Sequence, residues 1–191
     1  MKKIGLLFGS FNPVHHGHLM LANFMLEFVP FDEVWFVVSP QNPLKAVGDL
    51  WPENLRLEWV KKAIGSFERF KACDIEFELS RPSYTIETLR ALVKAFPQHE
   101  FSVIMGADSL SNFHLWKAHK TIVENFSLVV YPRKGFSNSL FEAHPSVKRV
   151  DAPQIEVSST FIREGLKQGK DLCFFLPDGL FQAIKEAMNF H

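Results

Sequence analysis

The sequence predicts an α/β domain built on an open parallel sheet with helices on both faces, and two observations lead there. Several short runs rich in Ile, Val and Phe are almost continuously apolar, as strands covered on both faces must be. Segments with apolar residues at helical spacing alternate with them, which is the pattern of successive βαβ units.

Taken in order, Lys3 to Phe8 reads as a buried first strand and Gly17 to Val29 as the helix after it. Val34 to Ser39 is a second strand, followed by a helix over Glu53 to Ser66. Phe70 to Asp74 carries a weaker strand signal, and Ser83 to Phe96 returns to helical spacing. Phe101 to Met105 and Ser127 to Tyr131 are strands, with a helix over Trp116 to Asn125 between them. After a second weak strand at Val147 to Asp151, two helices over Thr160 to Gln168 and Asp178 to Asn189 close the chain. The Pro-containing stretches Pro40 to Pro52 and Pro132 to Pro145 are expected to be mobile loops. No internal repeat or low-complexity stretch interrupts this order. Residues 1–191 are read as one domain whose part from about 159 to 191 is helical, and 47% hydrophobic composition suffices for its core. The 20 Phe residues are assigned mostly to that core.

Charge narrows the partners. Lys+Arg and Asp+Glu both total 21, so no global positive field holds a nucleic acid or a membrane surface. Phosphate recognition must therefore be local. The apolar runs fall far below the roughly 20 residues of a bilayer span. The start Met1-Lys2-Lys3 leads into a short apolar run without a small-residue cleavage site, so a signal peptide is not expected and a cytoplasmic location is. Cys73 and Cys173 have no metal or redox spacing and are read as two buried free thiols.

In an open parallel sheet, ligands bind beyond the carboxyl ends of the strands. The turn Gly9-Ser10-Phe11-Asn12-Pro13-Val14-His15-His16-Gly17-His18 lies at such an end, between the first strand and the first helix. Gly9 permits a tight turn and close approach of the backbone, Pro13 stiffens the loop, and Gly17 opens the helix start. A helix N-terminus favours an anion, yet no carboxylate lies between Gly17 and Glu27. A phosphate ligand would supply one. In a chain with 8 His the spacing of His15 and His18 discriminates little by itself. Core or capping histidines, and a metal site using His15, His16 and His18, are the other readings. The Gly, Ser and Pro framing favours phosphate.

Val157-Ser158-Ser159-Thr160-Phe161-Ile162-Arg163 precedes a helix with three hydroxyls bunched at its start. Capping needs only one of them. With Arg163 one turn later, the group makes a second anion site, because a guanidinium forks onto phosphate.

These residues resemble the nucleotidylyltransferase superfamily, whose first turn has the form Gly-(Ser/Thr)-Phe-Asp-Pro-x-His-x-Gly-His. Asn12 stands where that form has Asp. The late turn resembles the Ser-Ser-Thr-x-Ile-Arg signature of the pyridine-nucleotide adenylyltransferases, whereas phosphopantetheine adenylyltransferases carry Ser-Ser-Ser-x-Val-Lys-Glu there. The similarity spans Ile4 to Arg163 and implies a Rossmann-like, doubly wound sheet of nucleotidylyltransferase type. It also implies adenylyl transfer from ATP to nicotinate mononucleotide, giving nicotinate adenine dinucleotide and pyrophosphate in NAD biosynthesis. By resemblance, His15, His18, Lys45 and Arg163 are catalytic. Gly9, Ser10, Phe11, Gly17, Gly106, Asp108, Arg133, Ser158, Ser159 and Thr160 join His15, His18 and Arg163 in binding ATP.

The acceptor assignments follow in the same way. Ser83-Tyr84-Thr85-Ile86-Glu87-Thr88-Leu89 matches a Ser-x-Thr-x-x-Thr-Leu stretch that places Thr85 at the nicotinate ring, and Trp116 matches the aromatic that stacks on it. Ser10, Phe11, Lys45 and Asp108 complete the nicotinate mononucleotide set. Without the resemblance, Thr85 and Asp108 read as helix starts, Trp116 as core and Lys45 as a solvated loop residue. Leu44 stands where the loop Pro40-Gln41-Asn42-Pro43-Leu44-Lys45 would otherwise carry His. Mg²⁺ is expected across the ATP phosphates, held by substrate oxygens and water rather than by protein ligands. A preference for nicotinamide mononucleotide and a non-catalytic nucleotide-binding module are the rival readings. The assembly is expected to be a monomer or homodimer.

Overall fold

The computed structural model describes residues 1–41, 50–136 and 139–189. Six parallel strands form one sheet: β1 (Lys2–Gly9), β2 (Glu33–Val38), β3 (Phe70–Cys73), β4 (His99–Gly106), β5 (Ser127–Tyr131) and β6 (Val147–Arg149). Their order is β3-β2-β1-β4-β5-β6, so the winding reverses between β1 and β4. That reversal opens a crevice beyond the carboxyl ends of β1 and β4.

Alternate residues of each strand enter different cores. Val34, Phe36 and Val38 of β2, with Leu7, Ile104 and Val129, pack on one face. Trp35 and Val37, with Ile4, Leu6, Val103 and Val130, pack on the other. The first face is covered by α1 (His16–Phe28), α2 (Glu53–Ile64), α6 (Ser159–Lys167) and α7 (Leu180–Asn189). The second is covered by α3 (Thr85–Ala95), α4 (Ala107–Ser111) and α5 (His119–Asn125). The doubly wound sheet expected from the sequence is thus present. The two last helices share the core of α1 and α2, through Ile162, Leu166, Leu180 and Ile184. Among the described residues, no helix is long and apolar enough to cross a membrane.

Three expectations need correction. The helix placed over Trp116 to Asn125 begins only at His119, because Ala118 adopts a left-handed conformation (φ 54°) and breaks the helical path. Trp116 instead follows a short 3-10 turn over Phe113–Leu115. Cys73 is buried, with its thiol pushed up to about 11 by desolvation, but Cys173 is only partly covered. Several Phe residues are not core: Phe28 is 74% exposed and Phe174 92%. Phe28 stacks on Phe24 one turn away, a local pairing that periodicity does not separate from burial. The loop expectation for Pro40 to Pro52 falls largely on residues 42–49, outside the described residues, as do positions 137 and 138 of the second loop.

Candidate functional site

An open cleft of about 960 Å³ lies beyond the carboxyl ends of β1, β4 and β5. It stands at the upper end of the roughly 300–1,000 Å³ usual for ligand sites. The first turn forms its floor, and the segment 153–157 with the start of α6 forms one wall. Asp108 and Arg133 form the opposite rim.

The turn after β1 is shaped by close packing. Phe11 has a left-handed backbone (φ 45°) and a side chain only 2% exposed. Its ring occupies the space in front of Gly9, where an added Cβ would come within 2.9 Å of Phe11 Cζ. Any side chain at position 9 would displace the ring, which also packs edge-on against His18 at 5.0 Å.

Helix α1 begins immediately after His15, with no acidic residue in its first turn. The His15 and His18 rings stack, 3.8 Å between centroids and 29° between planes. His18 Nδ1 accepts from the His15 backbone N–H at 3.2 Å, so in the neutral ring the proton sits on Nε2. His15 is 4% exposed, and its Nδ1 makes no hydrogen bond among the described residues. Burial, followed by the Arg133 and His16 charges, pulls its pKa down to about 4. The imidazole is therefore neutral near pH 7 until a nearby anion favours its charged form. Ser10 Oγ is likewise buried without a partner among the described residues. Two orphaned polar atoms on the floor of one cleft point to a polar ligand, since buried polar groups are normally paired.

The late turn is fastened to the early one. Ser158 caps α6 by accepting from the Phe161 N–H at 3.1 Å. Ser159 Oγ donates to the Pro13 carbonyl at 2.9 Å, and Arg163 Nη1 donates to the Asn12 carbonyl at 2.9 Å. Two side chains expected to act as phosphate ligands are thus also tethers across about 150 positions of sequence. Thr160 and Arg163 face the cleft. At the rim, Arg133 Nε lies 3.9 Å from Asp108 Oδ1, and its Nη2 donates to the Tyr131 hydroxyl at 3.2 Å.

The cleft is lined by Gly9, Ser10, Phe11, His15, Gly17, His18, Asp108, Arg133, Ser158, Ser159, Thr160 and Arg163, twelve of the residues the sequence nominated. Gly106 sits at the end of β4 and caps α4. Thr85 and Trp116 do not line the cleft. Thr85 opens α3, and Trp116 packs on Phe113 at 5.4 Å. Lys117 joins their neighbourhoods, 4.3 Å above the Tyr84 ring and 2.6 Å from Glu87 Oε1. Lys45 lies outside the described residues. Asn12 acts structurally: its Oδ1 accepts from the Trp51 N–H at 3.0 Å, which an Asp oxygen in the same place could equally do.

The sequence reading missed several buried polar groups, Glu76 and Arg56 among them. Glu76 is 2% exposed and accepts from Thr88 Oγ1 at 2.8 Å, with the Ser39 and Ser83 hydroxyls beside it. Burial pushes its carboxyl above the usual range. Arg56 is 1% exposed and, among the described residues, bonds only backbone carbonyls, the Ser10 carbonyl of the first turn among them. Its sequence signal was available, because it precedes Trp59 and Val60 by three and four positions and so falls on the buried stripe of α2.

Comparison with known proteins agrees with this geometry. The family model described as cytidylyltransferase-like matches residues 6–165. A protein of Azobacteroides pseudotrichonymphae named "Probable nicotinate-nucleotide adenylyltransferase" is 47% identical over 183 residues, covering 95% of this chain and 96% of its own. A Bacteroides fragilis protein of the same name is 48% identical over 182 residues, covering 95% and 90%. Among solved structures, the Plasmodium falciparum nicotinic acid mononucleotide adenylyltransferase complexed with NaAD has the same fold, with a TM-score of 0.81 at 18% identity, covering 98% of this chain and 96% of its own. The chain belongs to the cytidylyltransferase-like family, among the nicotinate-nucleotide adenylyltransferases.

Proposed function

We propose that this protein transfers the adenylyl group of ATP to nicotinate mononucleotide in the cytoplasm, giving nicotinate adenine dinucleotide and pyrophosphate. The observation that carries the reading is the junction of the early and late turns in one cleft, with Arg163 and Ser159 bonded to the carbonyls of Asn12 and Pro13. Both turns present helix N-termini, whose free N–H groups and dipole favour phosphate.

The reaction is an in-line displacement. A phosphate oxygen of nicotinate mononucleotide bonds to the ATP α-phosphorus as the α–β bridging bond breaks, and pyrophosphate leaves with the electron pair. The attacking phosphate has a second pKa of about 6, so it arrives largely deprotonated and needs no general base. Rate enhancement then comes from positioning and from charge stabilisation. His18 offers its Nε2–H, and His15 becomes a cationic donor as the triphosphate raises its pKa. Arg163, the hydroxyls of Ser158 and Thr160, the backbone N–H of Ser159, whose hydroxyl stays on Pro13, and Lys45 hold the phosphates. Gly9 and Gly17 let the chain approach them, and Ser10 and Phe11 contribute their backbone. Gly106 and Asp108 serve the nucleoside ends, with Arg133 toward the adenine side; the family resemblance, not the cleft lining, assigns Thr85 and Trp116 to the nicotinate ring. Mg²⁺ would enter on the triphosphate and neutralise its charge, with substrate oxygens and water as its main ligands.

The test is pyrophosphate release from ATP with nicotinate mononucleotide, with nicotinamide mononucleotide, and with ATP alone. Release that depends on the acid supports the reading; equal or greater release with the amide, or none with either, refutes it. His18→Ala should lower kcat by about 100-fold or more with the fold intact, and near-native turnover would remove His18 from the mechanism.

A further inference from the structure

Among the described residues, the guanidinium of Arg56 is bonded by four backbone carbonyls and by no carboxylate. Nε donates to Trp51 O at 2.8 Å, Nη1 to Ser10 O at 2.5 Å and Ser39 O at 2.8 Å, and Nη2 to Pro40 O at 3.1 Å. Glu53 acts on it only at a distance, and Arg81 opposes that effect. Holding α2 against the sheet requires neither a charge nor a fork, and burying a charge without a contacting counter-ion is costly. This cation does not itself line the cleft but bonds the carbonyl of Ser10, a residue of the cleft floor.

Its bond to Ser10 has a stereochemical consequence. The Ser10–Phe11 peptide is trans, so its N–H points opposite to its carbonyl. With the carbonyl drawn back to Arg56, the Phe11 N–H is directed away from the guanidinium, and it makes no hydrogen bond among the described residues. A flipped peptide would turn a carbonyl oxygen, repulsive to phosphate, toward the same place. The left-handed Phe11 backbone (φ 45°) is an unfavourable conformation for an aromatic residue, so the turn must be held from outside. Arg56 also bonds the Trp51 carbonyl while the Trp51 N–H bonds Asn12 Oδ1, which closes a ring of contacts around residues 10–12.

We propose that Arg56 is a positioning residue for adenylyl transfer: by holding the Ser10 carbonyl it fixes the Ser10–Phe11 peptide with its N–H facing the phosphates. The inference rests on the adenylyl-transfer reading. It predicts an effect on turnover beyond any effect on stability.

Arg56→Lys retains the charge and loses the fork, and Arg56→Met loses both. Each variant is compared with the native protein in the pyrophosphate assay about 20 °C below its own Tm. Both should show kcat lower by about 30-fold or more, with the KM for ATP within about threefold of native, because a misplaced reacting group lowers rate more than ground-state binding. A folded variant with kcat within about threefold of native overturns the assignment, and so does failure of both variants to fold, which would make Arg56 a stability element. An inactive native protein would instead refute the adenylyl-transfer reading itself.

Discussion

Acidification should weaken this fold through His15 in particular. The folded pKa is about 4 against 6.5 for the unperturbed ring, so folding favours the neutral imidazole. The associated stability is complete above pH 6.5 and is lost as the pH falls toward 4, because the unfolded chain takes up the proton first. A difference of this size is worth about 3 kcal/mol in full, and about 2 kcal/mol of it is lost between pH 7 and pH 5. For a chain of this length that corresponds to a drop in Tm of about 4–8 °C. Glu76 works in the opposite direction, since its raised pKa gives stability below the ordinary carboxylate value that is lost as the pH rises. That contribution is common to native protein and variant, so it cancels when the two are compared. The assay is calorimetric unfolding of the native protein and of His15→Gln at pH 7 and pH 5. The native protein should lose about 2 kcal/mol more than the variant; parallel losses would show that His15 titrates normally and that its burial has no electrostatic consequence.

Three further outcomes follow from the same site. ATP binding at about pH 5.5 should take up more protons in the native protein than in His15→Gln, as calorimetry in buffers of different ionisation enthalpy would show; equal uptake means that the triphosphate does not reach His15. Gly17→Ala places a Cβ 3.0 Å from His15 Nδ1, so kcat/KM should fall about tenfold or more, while the helix preference for Ala offsets the crowding and leaves Tm within a few degrees. A Tm that falls in proportion to activity would refute that separation. Ser159→Ala removes the bond to Pro13 and should cost about 1 kcal/mol in a denaturant titration, together with a measurable loss of turnover; unchanged stability would mean that the tether is not maintained in solution.

The strands were the most legible part of the sequence. Central strands covered on both faces must be apolar without interruption, and Val34 to Val38 and Ser127 to Tyr131 satisfy that within a residue of their observed limits. The two turns that line the cleft were legible because their Gly, Pro and Ser residues stand out at strand-to-helix junctions. What stayed hidden depends on tertiary context. Nothing in the letters of Trp116, Lys117 and Ala118 announces a left-handed Ala that delays α5. The fastening roles of Ser159 and Arg163 were obscured because the carbonyls they bind belong to residues far away in sequence. Arg56 was passed over because an arginine on an apolar stripe is readily taken for an exposed neighbour, and only the fold reveals four carbonyls converging on it.

The bonds from Arg163 to Asn12 and from Ser159 to Pro13 bear on how the protein is made. While a chain is being synthesised, β1 and its turn emerge about 150 residues before the groups that hold the turn. Until Arg163 clears the exit tunnel, the nascent chain can assemble much of its sheet and still lack the tethers of its first turn. The first turn therefore forms well before the side chains that fix its shape exist.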